Sequence, residues 1–362
     1  MPRSRDVVVQ GAASRGAPRT TTMCAKRMRM PSASATPWDG LPDSDLTPAQ
    51  ALVARAHREA YDARHAPLGG EAAFFNAYGR DACPRCGSPD VVRDGHDARG
   101  VRRWLCRSCG RSFTPMTGTI FEGHRIPASD WCEFAIQLLS FDSLAEVARS
   151  NRRSPTTPPY WLAKLFLVLD GVQDGVVLSG RVQIDETFYP VPAAELERSA
   201  DGRAKPGFSR NKLCVAAATD GAGRSVVVPC GRGKPSGGRA LAAYGPHIER
   251  GSTLVHDREN AHNRLVRELA LVSEAHDSRL LSRLPDRENP LRDVNRLHFL
   301  LKAFLDRHRG FDRGDLAGWL DLFSVIVNPP SGAMAKAAAI LDRAMAFPKT
   351  LRYREFYEKK RR

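Results

Sequence analysis

Gln183-Ile184-Asp185-Glu186-Thr187 and, further on, Thr253-Leu254-Val255-His256-Asp257 set the architecture of the C-terminal half of this chain. Each places an acidic residue at the end of an apolar, β-branched run, as a sheet does when it presents carboxylates at its edge. A third stretch, Asn295 with Lys302 seven residues later, lies on a strongly periodic helical pattern. Two carboxylates plus one further oxygen ligand are the minimum set for holding a pair of Mg²⁺ ions in phosphoryl transfer.

Working outward, strand-type runs occupy 182–187, 212–219, 225–230 and 252–256, and Asp220-Gly221-Ala222-Gly223 reads as a hairpin turn between the second and third. Helical patterns follow at 261–269, 291–308 and 312–327. Three strands in succession, then alternating helices and strands, predict an α/β layered domain over 178–346, with no internal repeat. In the 291–308 helix, Asn289-Pro290 supplies an N-cap and a first-turn proline. Leu297, Leu300, Leu301 and Phe304 cluster on one face, and Asn295, His298 and Lys302 share the opposite one.

Upstream, Cys83-Pro84-Arg85-Cys86 and Cys106-Arg107-Ser108-Cys109 are two C-x-x-C knuckles separated by nineteen residues, each followed by glycine. Four thiolates at this spacing predict a closed, structural Zn²⁺ site in a ribbon over 81–116. Arg99, Arg102, Arg103, Arg107 and Arg111 crowd it, placed to face phosphate, with Trp104 and Phe113 as its small core. A helical segment over 46–80 precedes the ribbon. Three helical stretches over 125–172 fit a helix-turn-helix-like DNA-binding segment or a plain helical linker. Residues 347–362 read as a basic tail. The expected fold class is therefore multidomain: zinc ribbon, helix-turn-helix-like segment, then an α/β domain.

The chain has 362 residues, enough for two or three domains, and a net charge of +15. Seven Lys/Arg and one Asp in residues 1–31 supply +6, leaving +9 on the rest. Positive charge on the folded part fits a solvated basic surface or a polyanion partner, and together with the metal module it points to nucleic acid. Residues 1–45 are rich in Arg, Ser, Pro, Ala and Gly and predict a disordered basic leader without a secretory signal. Met23, Met28 and Met30 offer downstream starts. Cys24, Cys132, Cys214 and Cys230 are scattered singly and predict ordinary thiols rather than a disulfide framework. No apolar run reaches membrane-span length.

On these residues the chain resembles the bacterial insertion-sequence transposases that carry an N-terminal zinc ribbon and a DDE-type catalytic domain of ribonuclease H-like fold. The matching stretches run from Cys83 to Asn328: the two knuckles, Phe113-Thr114-Pro115-Met116-Thr117-Gly118-Thr119, Ile184-Asp185-Glu186-Thr187, His256-Asp257, and Asn295 followed by Lys302. The resemblance implies that Asp185 is the first catalytic carboxylate and Asp257 the second. The third position in such enzymes is usually Glu with Lys or Arg seven residues on. Here it is Asn295, as in subgroups with Asn at that place, and His298, Asp293 and Glu288 are its competitors. An amide oxygen remains a hard ligand for magnesium or manganese, weaker than a carboxylate. Lys302 is set to touch a DNA phosphate, and Glu186, adjacent to Asp185 on a strand, points away from it.

The expected activity is cleavage of insertion-sequence ends and their joining to target DNA, using two Mg²⁺ or Mn²⁺ ions. The expected partners are transposon ends, target DNA and further copies of the chain in a homodimer or higher oligomer, in the cytoplasm. The alternatives are a catalytically inactive DNA-binding protein and a nuclease that hydrolyses without joining.

Overall fold

The computed structural model describes residues 41–65, 70–123, 126–308 and 310–361. The leader expected over 1–45, Cys24 and the candidate start methionines therefore lie wholly or mostly outside the described residues.

The helical segment holds α1 (Pro48–His65) and α2 (Glu71–Asn76). A reciprocal cap opens α1: Thr47 N–H donates to Gln50 Oε1 at 2.8 Å, and Gln50 N–H to Thr47 Oγ1 at 3.3 Å. Three antiparallel strands follow, β1 (Val91–His96), β2 (Arg102–Cys106) and β3 (Ser112–Phe113). Asn76 ties them to α2, donating to Gly100 O at 3.0 Å and accepting from Arg102 N–H at 2.7 Å.

Next come α3 (Ala128–Leu139), α4 (Leu144–Ser150) and α5 (Thr157–Leu169). Ser143 and Glu146 form a capping box at the start of α4. Trp131 of α3 stacks on Trp161 of α5 with ring centroids 4.8 Å apart. This segment differs from an isolated helix-turn-helix in one respect. No residue of α5 is exposed, and its side chains join one core with the C-terminal helices. A recognition helix must leave a face free for the major groove, whereas even the one charged residue of α5, Lys164, is buried and donates to Ile120 O at 2.7 Å.

The second half is a five-stranded mixed sheet. β4 (Arg181–Pro190), β5 (Lys212–Asp220) and β6 (Ser225–Arg232) run antiparallel; α6 (Gly237–Tyr244) leads to β7 (Thr253–Asp257), and α7 (His262–Glu268) to β8 (Val272–His276). The strand order is β6-β5-β4-β7-β8, with β7 parallel to both β4 and β8. After a short α8 (Ser278–Leu281) come α9 (Arg292–Arg307), α10 (Leu316–Val327), α11 (Ala333–Ala346) and α12 (Tyr353–Arg361). Val182, Ile184, Cys214, Ala216 and Leu254 pack with Tyr244 and Leu265 of α6 and α7. Val215, Ala217, Val227 and Val255 pack with Val294, Leu297 and Leu301 of α9. The result is an α/β architecture with helices on both faces of a mixed sheet, resembling ribonuclease H. The segment read as a basic tail carries α12, where Tyr357 OH donates to Thr156 O at 3.1 Å.

Candidate functional site

Side chains alternate between faces along a strand, and this sorts the acids. On β4, Gln183 and Asp185 turn toward α9, while Glu186 turns toward α6 and α7. Pairing between β4 and β7 runs up to Gln183 opposite Val255. Asp185 and Asp257 each lie two residues beyond that pair, where the strands part, and both line a cleft of about 1060 Å³. Asn295, His298 and Lys302 reach the same cleft from α9, and Lys212 and Lys234 border it. The cleft therefore holds Asp185, Asp257, Asn295 and Lys302 together.

The side chain of Gln183 fixes the helix that carries three of these groups. Its Oε1 accepts from the N–H groups of Asp293 and Val294 at 3.0 and 3.2 Å. The expected Asn289 also serves the helix start: its Oδ1 accepts from Leu291 N–H at 2.9 Å and its carbonyl from Arg292 N–H at 3.0 Å. The helix begins at Arg292 with no side-chain cap from its own N-cap residue, Leu291, and the sheet satisfies the next two N–H groups through Gln183. Among the competitors for the third position, Asp293 is occupied by Gln183 Nε2 at 2.9 Å, and Glu288 pairs with Arg287 at 3.2 Å. Neither lines the cleft. His298 does, with its Nδ1 3.6 Å from Asp185 Oδ2.

Burial, then the charges of Glu186 and Asp257, push the Asp185 carboxyl up to about 7. Burial also raises Asp257. Burial and the nearby Lys302 ammonium hold His298 down at about 4, neutral at ordinary pH. Hard oxygen donors in a pocket that resists their ionisation suit a small divalent cation, whose charge relieves that cost.

Beneath the pair lies a polar cluster that the sequence did not bring to notice. His262 Nε2 meets Glu186 Oε1 at 3.1 Å, and Tyr244 OH donates to Glu186 Oε1 at 3.0 Å and to Asp185 O at 3.1 Å. His262 Nδ1 lies 3.2 Å from His256 Nδ1, and His256 Nε2 lies 2.9 Å from Ser273 Oγ. Burial pulls His262 down, but its Glu186 hydrogen bond and the surrounding carboxylates outweigh this and raise it. Burial and the His262 charge hold His256 at about 4. Glu186, His262, His256 and Ser273 thus form one continuous polar chain. Donor atoms of His256, Asp257 and His262 all fall within 4.8 Å of one another, so this buried cluster has metal-binding capacity. The signal available beforehand was local: His256 precedes Asp257, and His262 opens the helix after it.

In the ribbon, the four cysteine sulfurs also lie within 4.8 Å of one another, with Cys83–Cys109 at 3.8 Å and Cys86–Cys106 at 3.6 Å. Tetrahedral zinc with Zn–S bonds of about 2.3 Å puts sulfurs about 3.8 Å apart, so the residues fit that ion. Gly87 and Gly110 adopt φ of 75° and 66°, and their N–H groups close each knuckle onto Cys83 O and Cys106 O. Trp104 and Phe113 stack behind the cysteines at 5.8 Å. Of the nearby arginines, Arg103 pairs with Asp94 at 2.9 Å and Arg99 with Asp97 at 3.4 Å. Arg102 lies 6.0 Å from the centre of the Trp104 ring, and Arg107 is exposed.

Residues 82–110 match the family described as the InsA N-terminal domain, a zinc ribbon. An uncharacterised protein in the transposable element ISH50 of Halobacterium salinarum is 26% identical over 170 residues, which is 44% of this chain and 57% of that protein. The chain thus spans little more than half of that relative's length. The Drosophila P element transposase strand transfer complex aligns over 64% of this chain and 63% of its own, with 11% identity and a TM-score of 0.23, too low to carry an argument. The sequence matches show a distant relationship to proteins of transposable elements, with an N-terminal cysteine-rich ribbon. Among the described residues no helix is long and apolar enough to cross a membrane.

Proposed function

We propose that the chain is a DNA transposase that cuts insertion-sequence ends and joins them to target DNA. The observation that carries this is the convergence of Asp185, Asp257, Asn295 and Lys302 on one cleft built by β4, β7 and α9. Asp185, Asp257 and the amide oxygen of Asn295 are the residues that would hold Mg²⁺ or Mn²⁺. Bound there, a pair of such ions supplies activation of the attacking oxygen and stabilisation of the leaving one. The chain's own groups do the rest. Lys302, exposed on α9 one helical face with Asn295, binds a phosphate beside the scissile bond. His298, held neutral, lines the cleft beside the Asp185 carboxylate, its Nδ1 3.6 Å from Oδ2. In cleavage the water oxygen bonds to phosphorus while the 3′ oxygen leaves and takes a proton. In joining, that 3′-hydroxyl attacks a target phosphate and displaces the target's own 3′ oxygen.

The ribbon holds one structural zinc through Cys83, Cys86, Cys106 and Cys109, and Arg99, Arg102, Arg103 and Arg107 contact the DNA backbone. On this account the enzyme works in the cytoplasm as a homodimer or larger assembly on DNA. The neutral Asn295, where a third carboxylate would bind metal more strongly, favours one alternative, a catalytically silent DNA-binding protein. Incubating the full chain with DNA flanking its own gene and Mg²⁺ or Mn²⁺ separates the two. Nicked and joined products support the transposase, and binding without either product supports the silent protein. Nicking alone indicates a nuclease.

A further inference from the structure

The catalytic cleft contains two aromatic rings for which metal chemistry has no use. Phe299 is 71% exposed and Phe208 is 57% exposed, and both line the cleft with Asp185, Asp257 and Lys302. Single exposed apolar side chains need no explanation. Two rings inside a pocket of acids and lysines do, because each leaves apolar surface in water where charged groups would solvate freely. Phe299 lies four residues after Asn295 and three before Lys302, so the three share one face of α9. Phe208 is anchored: Lys234 N–H donates to Phe208 O at 3.2 Å, and its ring leans on Phe188 with centroids 4.4 Å apart.

We propose that Phe299 and Phe208 are stacking platforms for an unpaired DNA base at the cut position, an inference that rests on the transposase function above. The charge pattern selects the occupant. Lys302 and Lys212 attract phosphate, and an apolar peptide would strip water from those charges without pairing them. A nucleotide offers a phosphate to the lysine and a flat face to the ring. Bases inside an intact duplex present no free face, so a ring can be covered only if the end is opened locally. Phe299 and Phe208 are thus positioning residues that favour melting of the end, bringing its phosphate to Asp185 and Asp257.

The test uses the full chain with Mn²⁺ and two versions of the DNA flanking its own gene. One is fully paired, and the other carries a short mismatched segment at the cut site. Phe299→Ala, at an exposed position, should cut the paired DNA about tenfold more slowly than wild type and the mismatched DNA within about twofold, as loss of one stacked base requires. Phe208→Ala should act in the same direction, and Phe299→Trp should restore cutting of paired DNA. Slowing by Phe299→Ala that is equal on both DNAs, or absent on both, overturns the inference alone. Failure of the wild type to cut either DNA overturns the transposase function and the inference with it.

Discussion

Gln183 of β4 and Asp293 of α9 are bonded in both directions: Asp293 N–H donates to Gln183 Oε1 at 3.0 Å, and Gln183 Nε2 donates to Asp293 Oδ2 at 2.9 Å. The bond pair sits two residues before Asp185 on one side and two before Asn295 on the other. It therefore sets the distance between strand and helix at the cleft. Gln183→Ala removes part of a helix cap and leaves the buried Val294 N–H unmet. It should destabilise the protein by about 1–2 kcal/mol in chemical denaturation. Catalysis measured well below the melting temperature should fall further than that stability loss explains, because α9 loses its register. Full activity with reduced stability would show that Gln183 supports the fold only.

Two adjacent carboxylates should respond in opposite ways. Glu186 is hydrogen-bonded to His262 and Tyr244, and these hold its carboxyl low against the effect of burial. Glu186→Ala strips a buried partner from His262 and should cost about 3–5 kcal/mol. Asp185 is instead raised by burial and neighbouring charge, so Asp185→Asn should leave the melting temperature unchanged or higher while abolishing cleavage. A large stability loss in Asp185→Asn would contradict this division of roles.

The zinc ribbon gives a direct count. Metal analysis of the purified protein should find about one zinc per chain, lost in the Cys83→Ser/Cys106→Ser double variant. Zinc content unchanged by those substitutions would remove the assignment.

Acid should destabilise the protein through a histidine remote from the cleft. His308 packs on Trp319 with ring centroids 4.4 Å apart, and both its ring nitrogens are buried without a hydrogen-bond partner among the described residues. Burial, then the Arg307 charge, hold it at about 4 against an ordinary 6.5. Between those values the unfolded chain takes up a proton that the folded chain refuses. This contribution to stability is complete above pH 6.5 and is lost as pH falls toward 4. Melting temperatures at pH 7 and pH 5 should differ less in His308→Leu than in the wild type; an equal difference would place the acid sensitivity elsewhere.

The parts of the fold that were legible beforehand share a strong local signal. The runs ending at Asp185 and Asp257 are apolar and β-branched, and the cysteine knuckles have a fixed spacing. The parts that were not legible depend on neighbours far along the chain. The strand β8, Val272-Ser273-Glu274-Ala275-His276, lies at a sheet edge with Val272 61% exposed, so it lacks an apolar alternation. Helix α6 opens on two glycines after its Ser236 cap and buries mainly alanines with Tyr244. Asn289 meets the first N–H groups of the α9 start locally, but those of Asp293 and Val294 are met by Gln183, more than a hundred residues upstream, which no local pattern announces. The covering of α5 by α10, α11 and α12 likewise turns a helix-turn-helix pattern into core. At the site, alternation along β4 separates Asp185 from Glu186 without a structure. The buried partners of Glu186, His262 and Tyr244, become visible only when α6 and α7 fold back over the sheet.

The most direct test of the central claim compares wild type with Asp185→Ala and Asp257→Ala on DNA flanking the gene, with binding, nicking and joining measured in the same samples. Both variants should bind DNA as the wild type does and give neither nicked nor joined product, while Asn295→Ala retains partial activity. Full joining by Asp257→Ala would contradict the account.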